Sequence, residues 1–113
     1  MSVQRWPVQW TGKSAVIQLP SDVDTSNAGK VREQLMTLVE DDGAVVVVAD
    51  MTRTTFCDSA GITALATAHK KMSAMGADLK VISAAPQVLR ILELTGLDRV
   101  LNVYPTVDAA LAG

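Results

Sequence analysis

Two spacings of apolar residues take turns along the chain. Residues 3–10, VQRWPVQW, alternate loosely, TGKS supplies turn residues, and AVIQL resumes as a second strand, which predicts an antiparallel hairpin. Pro7 has no N–H to give to a ladder, so the first strand belongs at a sheet edge. From Asp24 the period lengthens: Ala28, Val31, Leu35 and Leu38 share one helical face, with Asp24 or Thr25 available as N-cap. After DDG comes AVVVVA (44–49), β-branched and without alternation, the pattern of a parallel strand covered on both faces.

A second helical period, Ile62, Leu65, Ala66, His69 and Met72, runs to a stop at Gly76. LKVIS is a further strand. Pro86 then suits the first turn of a third helix whose Val88, Ile91 and Leu92 face inward, and Gly96 with Leu97 has the form of a glycine C-cap and its apolar clasp. VLNVY reads as a short last strand, and Thr106 can cap a closing helix through Leu111. The fold class is therefore α/β: a mixed, mostly parallel sheet of four to five strands, an N-terminal antiparallel hairpin and about four helices. In open sheets of this kind, binding groups gather at the carboxyl ends of the strands.

Composition narrows the field without naming a function. At 113 residues, 49% hydrophobic and 19% charged, the chain has the makeup of one folded domain. A net charge of -2 gives no global pull toward nucleic acid or anionic lipid. One cysteine, Cys57, excludes an internal disulfide, and no basic-then-apolar leader opens the chain, so the cytoplasm is the expected compartment. Ala44–Ala49 is far shorter than the roughly 20 residues of a membrane span.

Chemistry-bearing residues collect in TTFCDSAGITAL, between the central strand and the second helix. Asp58 is placed to cap that helix and Ser59 to occupy its first turn, while Gly61 allows close approach. A phosphate on such a hydroxyl would meet free N–H groups and the positive end of the helix dipole. The same spacing also serves as a plain capped turn, and by itself it favours that reading. Catalysis fares worse. Cys57-x-Ser59-x-Gly61 lacks the first glycine of a nucleophile elbow, and the only histidine, His69, lies ten residues along the same helix, about 15 Å away. His69 cannot serve Ser59 as a base and no other histidine exists, and Cys57 with His69 is separated in the same way. One His and one Cys make no zinc spacing, and no Walker loop is present. A second polar cluster, LPSDVDTSNA, would bring Asp22, Asp24 and Thr25 to the same edge as Asp58 and Ser59 if the strands before them run parallel. It reads as a capped turn or as part of a joint surface for a basic partner.

At these residues the chain resembles the STAS domain of the bacterial anti-sigma factor antagonist family. VVVVADMTRTTFCDSAGITALATAHKKM is similar to that family's apolar strand, D-[LM]-[ST] exit, D-S-x-G-[IL] phosphorylation loop and following helix. LELTGLDRVLNVYPTVDAAL is similar to its C-terminal part, so the likeness takes residues 1–113 as a single STAS domain. The resemblance implies a switch rather than an enzyme. Ser59 would be phosphorylated by a partner that is both anti-sigma factor and serine kinase, and a serine phosphatase would reverse it. The unphosphorylated form would bind the anti-sigma factor and release a sigma factor. Asp22, Asp24, Thr25, Thr55, Asp58, Ser59, Ala60, Gly61 and Ile62 would form the partner-binding surface. It implies no cofactor, no metal, no direct nucleic-acid contact and no membrane insertion. Two other readings stay open: a STAS subunit regulating a membrane lipid or anion transporter, and a sensor that binds a nucleotide, weakly, on the same edge. The family often has glycine in the G-x-[LI]-D turn where this chain has Ser21, which leaves the shape of that loop open.

Overall fold

Val47, Val48 and Ala49 are all solvent-free, as the unalternating run requires, because the central strand is covered on both faces. The structure is a computed structural model and describes residues 5–83 and 85–112. Val3 and Gln4, at the head of the expected hairpin, lie outside them.

The hairpin is β1 (Val8–Thr11) and β2 (Ser14–Gln18), joined through Gly12, whose φ of +59° suits a two-residue turn. There follow β3 (Asp22–Val23), α1 (Ala28–Glu40), β4 (Val46–Asp50), β5 (Phe56–Cys57), α2 (Ser59–Ala74) and β6 (Asp78–Ile82). The chain closes with α3 (Pro86–Thr95), a 3₁₀ turn (Leu97–Arg99), β7 (Asn102–Tyr104) and α4 (Val107–Ala112). The five-stranded sheet has the order β1-β2-β4-β6-β7, with β1 antiparallel to β2 and the other pairs parallel. β1 is an edge strand, as expected, but it begins at Val8, so Pro7 lies just before it and not within it.

On one face, Val31 and Leu35 of α1, Leu65 and Met72 of α2, and Val88 and Leu92 of α3 pack over Ile17, Val47, Ala49 and Val81. On the other, Ala110 of α4 covers Val16, Val48 and Ile82. Lys80 belongs to this second face although it is an ammonium in a central strand. It is buried, its Nζ donates to the Ala110 carbonyl at 2.7 Å, and it lies 5.3 Å from the centre of the Tyr104 ring. The charge thus meets a helix C-terminus and an aromatic face, both favourable to a cation.

Three details differ from the pattern reading. Helix α1 starts at Ala28 with Asn27 as N-cap, not Asp24 or Thr25. Asp24 instead heads a turn whose carbonyl accepts from the amides of Asn27 and Ala28, while the Asn27 side chain accepts from the Asp24 amide and donates to the Asp22 carbonyl. On α2 the buried stripe runs through Ile62, Ala64, Leu65, Ala68 and Met72, leaving Ala66 and His69 half-buried. The helix packs against α1 as well as the sheet, which turns the small residues Ala64 and Ala68 inward. The third is a second sheet, the short parallel pair β3–β5, which periodicity did not foretell. The capped ends after β6 and β7 match expectation: Pro86 opens α3, Gly96 closes it at φ +77°, and Thr106 Oγ1 accepts from the Ala109 amide.

Candidate functional site

Because β2 and β4 are parallel neighbours, the loops that leave their carboxyl ends emerge side by side. The β3–β5 pair stitches them together, with Asp22 opposite Phe56 and Val23 opposite Cys57. The Ser21 carbonyl accepts from the amides of Thr55 at 2.8 Å and Phe56 at 3.2 Å, and the Val23 carbonyl accepts from the Asp58 amide at 3.2 Å. Beneath them Thr54, fully buried, donates through Oγ1 to the Pro20 carbonyl at 2.7 Å. Among the described residues every positive φ belongs to a glycine, so Ser21 holds its loop without the left-handed backbone that would call for one.

Asp58 joins the two halves. As N-cap of α2, its Oδ1 accepts from the Gly61 amide at 3.0 Å. Its Oδ2 accepts from the amide of Thr25 at 3.1 Å and from Thr25 Oγ1 at 3.2 Å, across to the loop before α1. These donors, the Gly61 amide foremost, hold the Asp58 carboxyl below the ordinary carboxylate range, against a smaller opposing effect of desolvation. The sign for stability follows: a carboxyl with a depressed folded-state pKa stabilises the fold above its unfolded value, and the gain is lost as pH falls through the folded one. In thermal melts from neutral pH into acid, the wild-type chain is expected to lose its advantage over Asp58→Asn below about pH 4, the ordinary carboxylate range. A gap between the two that stays constant with pH would refute this.

Gly61 sits where the first turn of α2 passes closest to β3. A Cβ built there would lie 2.4 Å from the Val23 carbonyl oxygen and 2.8 Å from Cys57 Sγ. The Cys57 thiol is buried, and burial first, then the neighbouring Asp58 charge, pushes its pKa up to about 11. It is a protonated packing residue at neutral pH, not a nucleophile.

Ser59 is the first residue of α2 and is exposed. Together with Ala60, Thr63 and Thr67 it faces Gly29 and Arg32 of α1 across a shallow groove of about 270 Å³. Asp22, Thr25, Thr55 and Ser59 are exposed on this edge and Asp24, Asp58 and Ala60 half-buried, so the two expected clusters do meet. Gly61 and Ile62 lie beneath the surface, Ile62 within the main core. His69 is far down α2, its Nδ1 shielded and without a hydrogen-bond partner. Two residues of the edge had not been foreseen: Arg32, on the far side of the groove, and Phe56, which is 51% exposed. Phe56 could have been found only by alternation against buried Cys57, and β5 is too short for alternation to register.

No helix among the described residues is long and apolar enough to cross a membrane. The family profile for the STAS domain matches residues 5–110. A protein of Mycobacterium tuberculosis named as an anti-anti-sigma factor is 33% identical over 115 residues, an overlap of 97% of this chain and 75% of that protein. The low affinity sulfate transporter 3 of Stylosanthes hamata is 34% identical over 105 residues, covering 77% of this chain but 16% of the transporter. Among solved structures, an anti-sigma factor antagonist from Mycobacterium paratuberculosis superposes with a TM-score of 0.84 at 26% identity, over 95% of this chain and 90% of that one.

Proposed function

The chain belongs to the STAS domain family, and on that premise we propose that it is an anti-sigma factor antagonist switched by phosphorylation of Ser59. The observation that carries this is the exposed Ser59 hydroxyl at the start of α2, on an edge built by two loops and braced by Asp58. The unmodified edge docks on an anti-sigma factor that is also a serine kinase, and docking sets a sigma factor free. In the kinase's site Ser59 Oγ attacks the γ-phosphorus of ATP. The new O–P bond forms as the bond to ADP breaks, and the hydroxyl proton leaves to the kinase's base. A serine phosphatase returns the hydroxyl with water as nucleophile. The chain itself is substrate and switch.

The local physics supports such a cycle. A phosphate adds about -1.5 to -2 charge, and at Ser59 it projects into solvent from a helix N-terminus, where an anion is welcome. The scaffold therefore keeps its shape while the docking surface changes. The transporter relative bears on a second reading, a STAS subunit that assists a membrane transporter. The coverage favours the first: this chain matches a small part of the transporter and three quarters of the anti-anti-sigma relative. Incubation with ATP and each anti-sigma kinase of the same genome is expected to add one phosphate, localised to Ser59 by mass spectrometry. A phosphate that appears elsewhere, or none with any of the kinases, overturns the phosphorylation switch.

A further inference from the structure

The geometry points to Phe56 as the apolar anchor of the docking edge, seating in a recess of the partner whose rim is basic on the Asp22 side. This inference rests on the reading above and adds to it the chemistry of the contact. Six large apolar side chains are exposed among the described residues: Trp10, Val45, Phe56, Met75, Leu94 and Val100. Five of them lie toward the opposite end of the sheet. Val45 precedes β4, Met75 follows α2, Leu94 is in the last turn of α3, Val100 leads into β7, and Trp10 is next to the hairpin end. Phe56 alone stands at the carboxyl edge, three residues before Ser59.

Its backbone is already fixed. The Phe56 amide is held by the Ser21 carbonyl, and the side chains of Cys57, next to it, and of Thr54, two residues before it, are buried. A ring presented on so constrained a strand loses little freedom on docking, the property that makes aromatics frequent interface anchors. The charge around it tells what rims the recess. The two loops carry Asp22, Asp24 and Asp58, and Asp50 ends the strand that feeds the second; against these four acids stand Arg53 in that loop and Arg32 across the groove. The Asp58 carboxylate is engaged by Thr25 and Gly61, and that of Asp24 by Ser26. Asp22, the register partner of Phe56, is exposed and its carboxylate has no hydrogen-bond or ionic partner among the described residues. It is the acid left for a partner's Lys or Arg.

An apolar anchor also accounts for the direction of the switch. A purely basic mate would grip the phosphorylated edge more tightly. A ring that must enter a dry recess obliges its surroundings to shed water, and a dianion at Ser59 resists that.

The test uses the full chain and each purified anti-sigma kinase of the same genome, by titration calorimetry. Phe56→Ala is expected to weaken binding roughly thirtyfold, the scale of an interface anchor. Phe56→Leu, which keeps an apolar side chain on the strand, should recover much of the loss, and Met75→Ala at the far end should change nothing. Asp22→Asn should weaken binding a fewfold at low salt and little at high salt. Thermal melts confirm that each variant is folded. If the wild type binds and Phe56→Ala, folded, binds within twofold of it, the anchor is refuted while the function stands. If the wild type binds none of the kinases, the function itself fails and this inference with it.

Discussion

Gly61→Ala is expected to cost the fold about 3 kcal/mol, although the same change in an open helix position gains up to about 1. The difference lies in what the new methyl meets. Val23 O would be 2.4 Å away, Cys57 Sγ 2.8 Å and Val23 Cγ1 3.0 Å, and none of these is the free end of a flexible chain. The Val23 carbonyl is a strand acceptor already bonded to the Asp58 amide, so moving it also disturbs the join between the two loops. Gly29, in the first turn of α1, supplies the control because a Cβ there meets nothing within 4 Å. Gly29→Ala should therefore stabilise by roughly 0.5–1 kcal/mol. Urea unfolding of both variants checks the pair. A Gly61→Ala protein as stable as its parent would mean that α2 can slide away from β3, and that the tight contact does not hold the site.

The second large effect is expected on binding. Ser59→Asp should weaken docking on the anti-sigma partner about a hundredfold, since like-charge contact and desolvation worth roughly 3 kcal/mol correspond to two factors of ten at ~1.4 kcal/mol each. The fold should be untouched, because Ser59 is exposed and an acid is favourable in the first turn of a helix. Ser59→Ala should bind as the wild type does and accept no phosphate. Calorimetric titration of the three proteins against the same partner decides it. Equal affinity for wild type and Ser59→Asp would show that charge at this position is not what the partner senses.

What could be read in advance follows the reach of each signal. The β-branched run before Asp50, the helical period from Ile62, and Gly96 closing α3 are local patterns strong enough to survive packing. Asp58 as N-cap was legible because the cap bond to Gly61 spans three residues. Its other partner, Thr25, is 33 positions away, and only the parallel pairing of β2 with β4 brings it within reach. Helix α1 began late for a similar reason. Asp24 and Thr25 have the right side chains for a cap, but Asp24 heads a turn, and buried Asn27 ties that turn to the Asp22 carbonyl. The β3–β5 pair is two residues long on each side, shorter than any periodicity can mark, and Phe56 was hidden with it. Lys80 shows the opposite case: its sequence position reads as strand, while groups that make its burial tolerable come from Tyr104 of β7 and Ala110 of α4, far along the chain.

The hydrogen bonds from Thr25 to Asp58 make the surroundings of Ser59 a property of the closed molecule and not of any one segment. A nascent or heat-damaged chain would present the right letters in the wrong arrangement, and an enzyme that reads the arrangement would pass it by. On the proposed phosphorylation switch, quality control would then come built into the signal, because only intact copies could be modified at Ser59.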